Sequence, residues 1–220
     1  TRLGLKGIPA LAEHIQIARD LFLLEYTGGK LHIPTISSAK SVTLIKEAKK
    51  KGLKITCSVA AHHLILTDDE LYGFDSNFKT NPPLRTKEDI KALQKGIKSG
   101  EIDVITSDHN PIDIEHKKVE FSEAKDGLIG LESAFGAVNS VLDLEDFISC
   151  FTSKPKEIFG IENHSIQEGN IADISLFNPE LVITFTEKSI LSTSRNSAFI
   201  NKKLKGKVYG IFANNQLIIN

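Results

Sequence analysis

The chain has 220 residues, 40% of them apolar and 25% charged, with 27 cationic side chains against 28 acidic ones and a formal net charge of −1. Such a chain can bury a sizeable core, and it carries no basic field to attract a phosphate backbone or an anionic lipid surface, which argues against nucleic acid and membrane as partners. No apolar run is long enough to span a bilayer and no signal peptide is evident.

In chain order, Leu11, Ile15, Ala18 and Phe22 recur at helical spacing between Pro9 and Tyr26, and Gly28 and Gly29 stop the pattern. Residues 30–36 are short and β-branched and predict a strand, although Pro34 sits awkwardly in it. Residues 38–51 return to helical period through Val42, Ile45 and Ala48 and end in three lysines, where cations suit the negative helix end. Residues 53–59 predict a second strand. Thr86 and Asp89 open a helix as a capping box, with a stripe of Ile90, Leu93 and Ile97, and a strand over 102–107 follows Gly100.

Helix and strand thus alternate three times, which argues a parallel sheet with crossover helices. The two long connections, 60–85 and 109–127, follow strand ends, and long loops in compact domains commonly cover a site. Helices are expected over 129–142 and 144–159. Residues 172–177, 181–185 and 207–219 then read as short strands of a small antiparallel unit.

The residues with chemistry in reach centre on 102–111, an apolar strand ending on Asp108, His109 and Pro111. A carboxylate at the C-terminal mouth of a buried strand is where α/β barrels place catalytic groups. The alternative role for Asp108 is a turn cap at a strand-to-loop junction. Cys57 and Cys150 lie in apolar segments at a spacing that suits neither a zinc knuckle nor a disulfide framework, so a reducing, cytoplasmic setting is expected. The chain has no methionine, which leads to the expectation that it is a piece of a longer protein.

Taken together, residues 31–33, 56–63, 81–85, 102–111 and 127–132, with 4–9 near the start and 168–173 near the end, resemble the dihydroorotases of the amidohydrolase superfamily in order and spacing. The resemblance implies an α/β fold in which residues 1–160 form the last third of a (β/α)8 TIM-type barrel and 161–220 a small β-sandwich unit. It implies a metal-dependent hydrolase, usually with zinc, that interconverts N-carbamoyl-aspartate and dihydroorotate. Asp108 matches the family's strand-end aspartate, both metal ligand and general base. Asn81 matches a substrate-binding position, as does Gly127 through its backbone, and Asp126 stands where a phenylalanine is more usual.

Two positions depart from that pattern. Thr35 occupies the place of a metal-binding histidine, and a threonine hydroxyl is a poor zinc ligand beside imidazole. Ile112 occupies the place of a substrate-contacting histidine. His32 is three residues before Thr35, so strand alternation puts it on the opposite face. His62 and His63 match a histidine pair read as scaffolding at a strand end, His109 is read as positional, and His14, His116 and His164 are assigned to surfaces without a role. Two functions stay open: an active cyclic-amide hydrolase, or a catalytically silent dihydroorotase-like subunit with a structural role, as a homo-oligomer or assembling with aspartate transcarbamoylase.

Overall fold

The computed structural model describes residues 3–162 and 165–219; Thr1 and His164 lie outside them. Helix α1 (Ala10–Thr27) leads into strand β1 (Leu31–Ile33), α2 (Ala39–Lys50), β2 (Ile55–Ala60), α3 (Lys87–Lys98) and β3 (Val104–Thr106). The three strands are parallel in the order β1-β2-β3, with Leu31 opposite Ile55 and Ser58 opposite Val104. All three therefore end on the same side, which brings the residues after Ile33, Ala60 and Thr106 to one edge.

Strand β1 is shorter than expected because Pro34 has no N–H to give the ladder. The chain stays attached beyond it through side-chain and backbone bonds: the Thr35 N–H donates to Ser58 Oγ at 3.1 Å and the Ile36 N–H to the Ser58 carbonyl at 2.9 Å. The long segment after β2 is folded into three 3-10 turns, Ala61–Leu64, Asp68–Gly73 and Ser76–Phe78. The capping box is present, Thr86 Oγ1 accepting from the Asp89 N–H at 3.3 Å and Asp89 Oδ2 from the Thr86 N–H at 3.2 Å. The same carboxylate accepts from the Ala39 N–H at 2.8 Å, so one aspartate caps α3 and grips the start of α2.

Helix α1 corrects the stripe expected of it. Leu11, Ile15 and Phe22 are 60%, 61% and 73% exposed, whereas Ile17 and Leu24 are buried. Apolar residues occur on both sides of this helix, so periodicity alone does not choose the buried one. Ile17 and Leu24 join Ile33, Ile45, Val59, Leu93, Ile97, Ile105 and Phe147 in a core between the sheet and its helices. Each large side chain fully buried there contributes about 1.5–3 kcal/mol. At the N-terminal end of β3, Lys49 Nζ lies 2.8 Å from both Asp103 carboxylate oxygens, and Asp103 also accepts from the Cys57 N–H at 2.8 Å.

After the short helix α4 (Ile114–Lys117), the expected helix over 129–142 contracts to α5 (Ala134–Asn139). Residues before it are held extended instead, Leu128 bridging to His109 and the Ile129 N–H donating to the Asn196 carbonyl at 3.0 Å. The expected helix over 144–159 is two, α6 (Leu144–Phe151) and α7 (Ser153–Phe159), broken at Thr152 with φ −122° and ψ −83°. Pro155 explains the break: within a continuous helix its ring would clash with the Phe151 carbonyl, and a restart places it in a first turn, where no N–H is needed.

The C-terminal unit is antiparallel, as expected, but its first two runs are one strand. β4 (Ile174–Thr184) pairs with β5 (Lys203–Ala213), which pairs with β6 (Gln216–Ile219). A register shift between Asn178 and Val182 accommodates Pro179. A second core of Leu66, Leu84, Leu128, Ile129, Phe185, Phe199 and Leu204 joins this unit to the loops above the parallel sheet.

Candidate functional site

Strand β3 ends at Thr106, and two residues later Asp108 takes a left-handed backbone with φ +46°. That conformation is tolerable for aspartate, and here the surrounding loop fixes it. The Asn110 N–H donates to the Leu128 carbonyl at 2.8 Å. His109 Nδ1 accepts from the backbone N–H groups of Gly130 and Leu131 at 3.2 and 3.3 Å, which makes His109 a loop clamp, the positional role expected of it. Gly127 has φ +129°, and a Cβ there would stand 2.4 Å from Asn110 Nδ2. The Asp108 side chain is 36% exposed, and burial pushes its carboxyl above the ordinary aspartate value.

At the ends of the other strands stand Thr35, with φ +50°, and His62, in the turn that follows β2. His62 Nε2 is 3.9 Å from Asp108 Oδ2. Both His62 and His63 are 1% exposed, and burial holds both well on the neutral side, His63 with its pKa lowered to about 4. Thr35 and Asn81 line one cavity of about 290 Å³ together with Glu13 and Arg85. Glu13 is the hub of that wall: it accepts from the Ser37 N–H at 3.0 Å and from the hydroxyls of Ser37, Ser38 and Ser41, and lies 3.9 Å from Arg85.

The remaining expected residues sit around this edge. The Gly127 N–H donates to the Lys79 carbonyl at 2.8 Å, which ties the 126–127 turn to the segment carrying Asn81. Asp126 is 3.9 Å from Lys79 Nζ and lines a separate cavity with Tyr72 and Phe121. Ile112 is half-buried, its N–H donating to Asn196 Oδ1 at 3.3 Å. His32 is occupied elsewhere, 2.8 Å from Thr56 Oγ1. His116 is exposed and pairs with Asp113, whereas His14 is half-buried against Ser38 Oγ at 2.8 Å, a correction to its surface assignment.

Asn196, like Glu13, is a residue the sequence does not disclose. It is buried, donates to the carbonyls of Asn110 and Gly127 at 3.1 and 3.2 Å, and accepts from Ile112, so one amide fixes the loop after Asp108. Nothing in its neighbourhood marks it, since its partners are more than sixty residues away.

Among the described residues no group of three or more histidine, cysteine, aspartate or glutamate side chains could hold a metal ion. A zinc ion takes four donors, and Asp108 is the one expected ligand present with suitable chemistry. These residues by themselves therefore do not fit a zinc centre. Both cysteines are buried and unpaired, and burial pushes the Cys57 thiol up to about 12. Among the described residues no helix is long and apolar enough to cross a membrane.

Comparison with known proteins gives a match to the Amidohydrolase family over residues 5–218. The chain is 41% identical over 211 residues to a dihydroorotase of Trichlorobacter lovleyi, covering 94% of this chain and 50% of that protein. It is 43% identical to one of Endomicrobium trichonymphae, covering 93% and 50%, and 39% identical to one of Pelotomaculum thermopropionicum, covering 100% and 53%. The chain thus spans about half the length of the curated relatives it matches. Among solved structures, the L-hydantoinase from Arthrobacter aurescens superposes with a TM-score of 0.87 at 23% identity, over 96% of this chain and 49% of that one. The dihydropyrimidinase from Brevibacillus agri gives 0.86 at 22%, with the same coverage. At that identity the likeness speaks for the fold.

Proposed function

The chain belongs to the amidohydrolase family, and from that premise we propose that it forms part of a dihydroorotase-type hydrolase that opens and closes the cyclic amide of dihydroorotate. Within it, residues 1–160 are the last third of a (β/α)8 barrel and 161–220 a small β-rich domain. The roughly 40% identity to dihydroorotases supports the substrate class, and the three parallel strands ending on one edge support the barrel.

The observation that carries this reading is Asp108, held left-handed at the C-terminal end of β3 with its carboxyl raised by burial. A raised carboxyl is a stronger base when ionised, suited to taking a proton from the attacking water and returning it to the leaving amide nitrogen. Asn81, on the cavity it shares with Thr35, and the Gly127 backbone are the substrate contacts that this reading carries over from the family. Zinc is the metal the family relationship suggests, and among the described residues Asp108 is the expected ligand with suitable chemistry.

A second reading is favoured by Thr35 and Ile112: a hydroxyl and an alkyl group stand where two imidazoles are expected. On that reading the chain is a silent subunit with a structural role, as a homo-oligomer or with aspartate transcarbamoylase. The test is dihydroorotate hydrolysis by the intact protein with zinc added, followed by ultraviolet absorbance, beside Asp108→Ala. A metal-dependent rate that Asp108→Ala abolishes supports the enzyme; no rate above background moves the assignment to the silent subunit.

A further inference from the structure

His62 and His63 carry three ring nitrogens that are buried without a hydrogen-bond partner: His62 Nδ1, His62 Nε2 and His63 Nδ1. The two rings are 4.3 Å apart, tilted by 41°. The remaining nitrogen, His63 Nε2, lies 3.1 Å from the Pro82 carbonyl. A carbonyl only accepts, so His63 carries its proton on Nε2. His62, neutral and 1% exposed, must also carry one N–H, and a buried N–H without an acceptor is costly. Among the described residues Asp108 is the one carboxylate recorded within 4 Å of its ring, at 3.9 Å. That gap is too long for a direct hydrogen bond.

We infer that His62 and His63 are a positioning pair that locks the two sides of the proposed site together, His62 Nε2–H onto the Asp108 carboxylate and His63 Nε2–H onto Pro82, which anchors the adjoining Asn81. The kinetic part of this inference rests on the dihydroorotase reading; the contact between His62 and Asp108 does not. A pair that merely fills space would be replaced without loss by phenylalanine.

The experiment uses the intact protein. Two-bond proton–nitrogen spectra of the histidine rings are recorded for the wild type and Asp108→Ala, a change that leaves His62 in place. The expected result is an Nε2-protonated His62 whose ring proton moves upfield when Asp108 is removed; an Nδ1-protonated ring, or a resonance indifferent to Asp108→Ala, overturns the inference. In kinetics, His62→Phe is expected to lower kcat by about 10–100-fold, the scale of lost outer partners, with His62→Gln recovering most of it because the amide keeps a donor. His63→Phe is expected to raise KM instead. Phenylalanine variants with unchanged kcat and KM overturn the inference. If the wild type hydrolyses nothing, the dihydroorotase reading fails alone, and the ring-proton shift still decides the pairing.

Discussion

Gly130 packs directly under Ser107: a Cβ on Gly130 would stand 2.1 Å from the Ser107 carbonyl oxygen. That approach seats the 127–131 segment against the residue before Asp108. Gly130→Ala must push backbone against backbone and is expected to destabilise by about 1–3 kcal/mol. Gly7→Ala, which meets nothing within 4 Å, should stay within about 0.5 kcal/mol of the wild type. Urea midpoints compare the two, and equal midpoints would remove the steric argument.

Asp89 carries more than an ordinary cap, since its carboxylate serves the Thr86 N–H and the Ala39 N–H at once. Asp89→Ala leaves the Thr86 and Ala39 N–H groups without this acceptor, while the Thr86 and Ser38 hydroxyls still cap their helices, so its cost should fall within the usual ~0.5–2 kcal/mol for a lost cap. Asp89→Asn keeps one oxygen and should cost less. Thermal unfolding of the two variants checks the order, and a reversal would show that Ala39 does not depend on this side chain.

The buried histidines set a pH dependence whose sign follows from burial. His63 titrates at about 4 in the fold against 6.5 as a free side chain, and desolvation is the chief cause. Between those values the unfolded chain binds a proton that the fold refuses. The stability this neutral ring contributes is therefore full above about 6.5 and lost as pH falls towards 4. At ~1.4 kcal/mol per unit this amounts to about 3 kcal/mol. His63→Gln should lose less stability than the wild type between pH 7 and pH 4.5 in urea titrations. Parallel losses would mean that His63 is solvated in solution.

How much of this was legible in the sequence depends on the range of the interactions involved. The helices α2 and α3 followed from Val42, Ile45 and Ala48 and from Ile90, Leu93 and Ile97, all buried or nearly so, because each helix has one apolar face. Helix α1 has two, and the wrong one was expected to be inside. The break at Thr152 was written in Pro155, a local signal that helical periodicity had overridden. In the proposed site, the place of Asp108 after a strand end is legible in the sequence, and Thr35 and Ile112 stand out there as departures from the family pattern. Asn196 and the Glu13 hub are not legible, because they act through partners distant in sequence. The left-handed backbone of Thr35 was equally hidden, since Thr35 follows a proline in a β-branched run that suggests extended chain.

That backbone makes Thr35 the most informative position to change. At φ +50° a β-branched side chain crowds its own carbonyl, and such residues cost about 1–3 kcal/mol each. Asparagine and histidine enter this region more readily. Thr35→Asn is therefore expected to stabilise the protein by about 1 kcal/mol, and Thr35→His to do the same while returning an imidazole to a residue that lines the cavity shared with Asn81. Loss of outer partners alone changes metal affinity about 10–100-fold, so a full ligand should raise zinc affinity at least that much, and more with Ile112→His if that position also meets the site. Calorimetric zinc titration and thermal unfolding separate the two effects. A rise in stability with unchanged zinc affinity would show that position 35 relieves strain but does not face a metal, and the silent-subunit reading would gain from it.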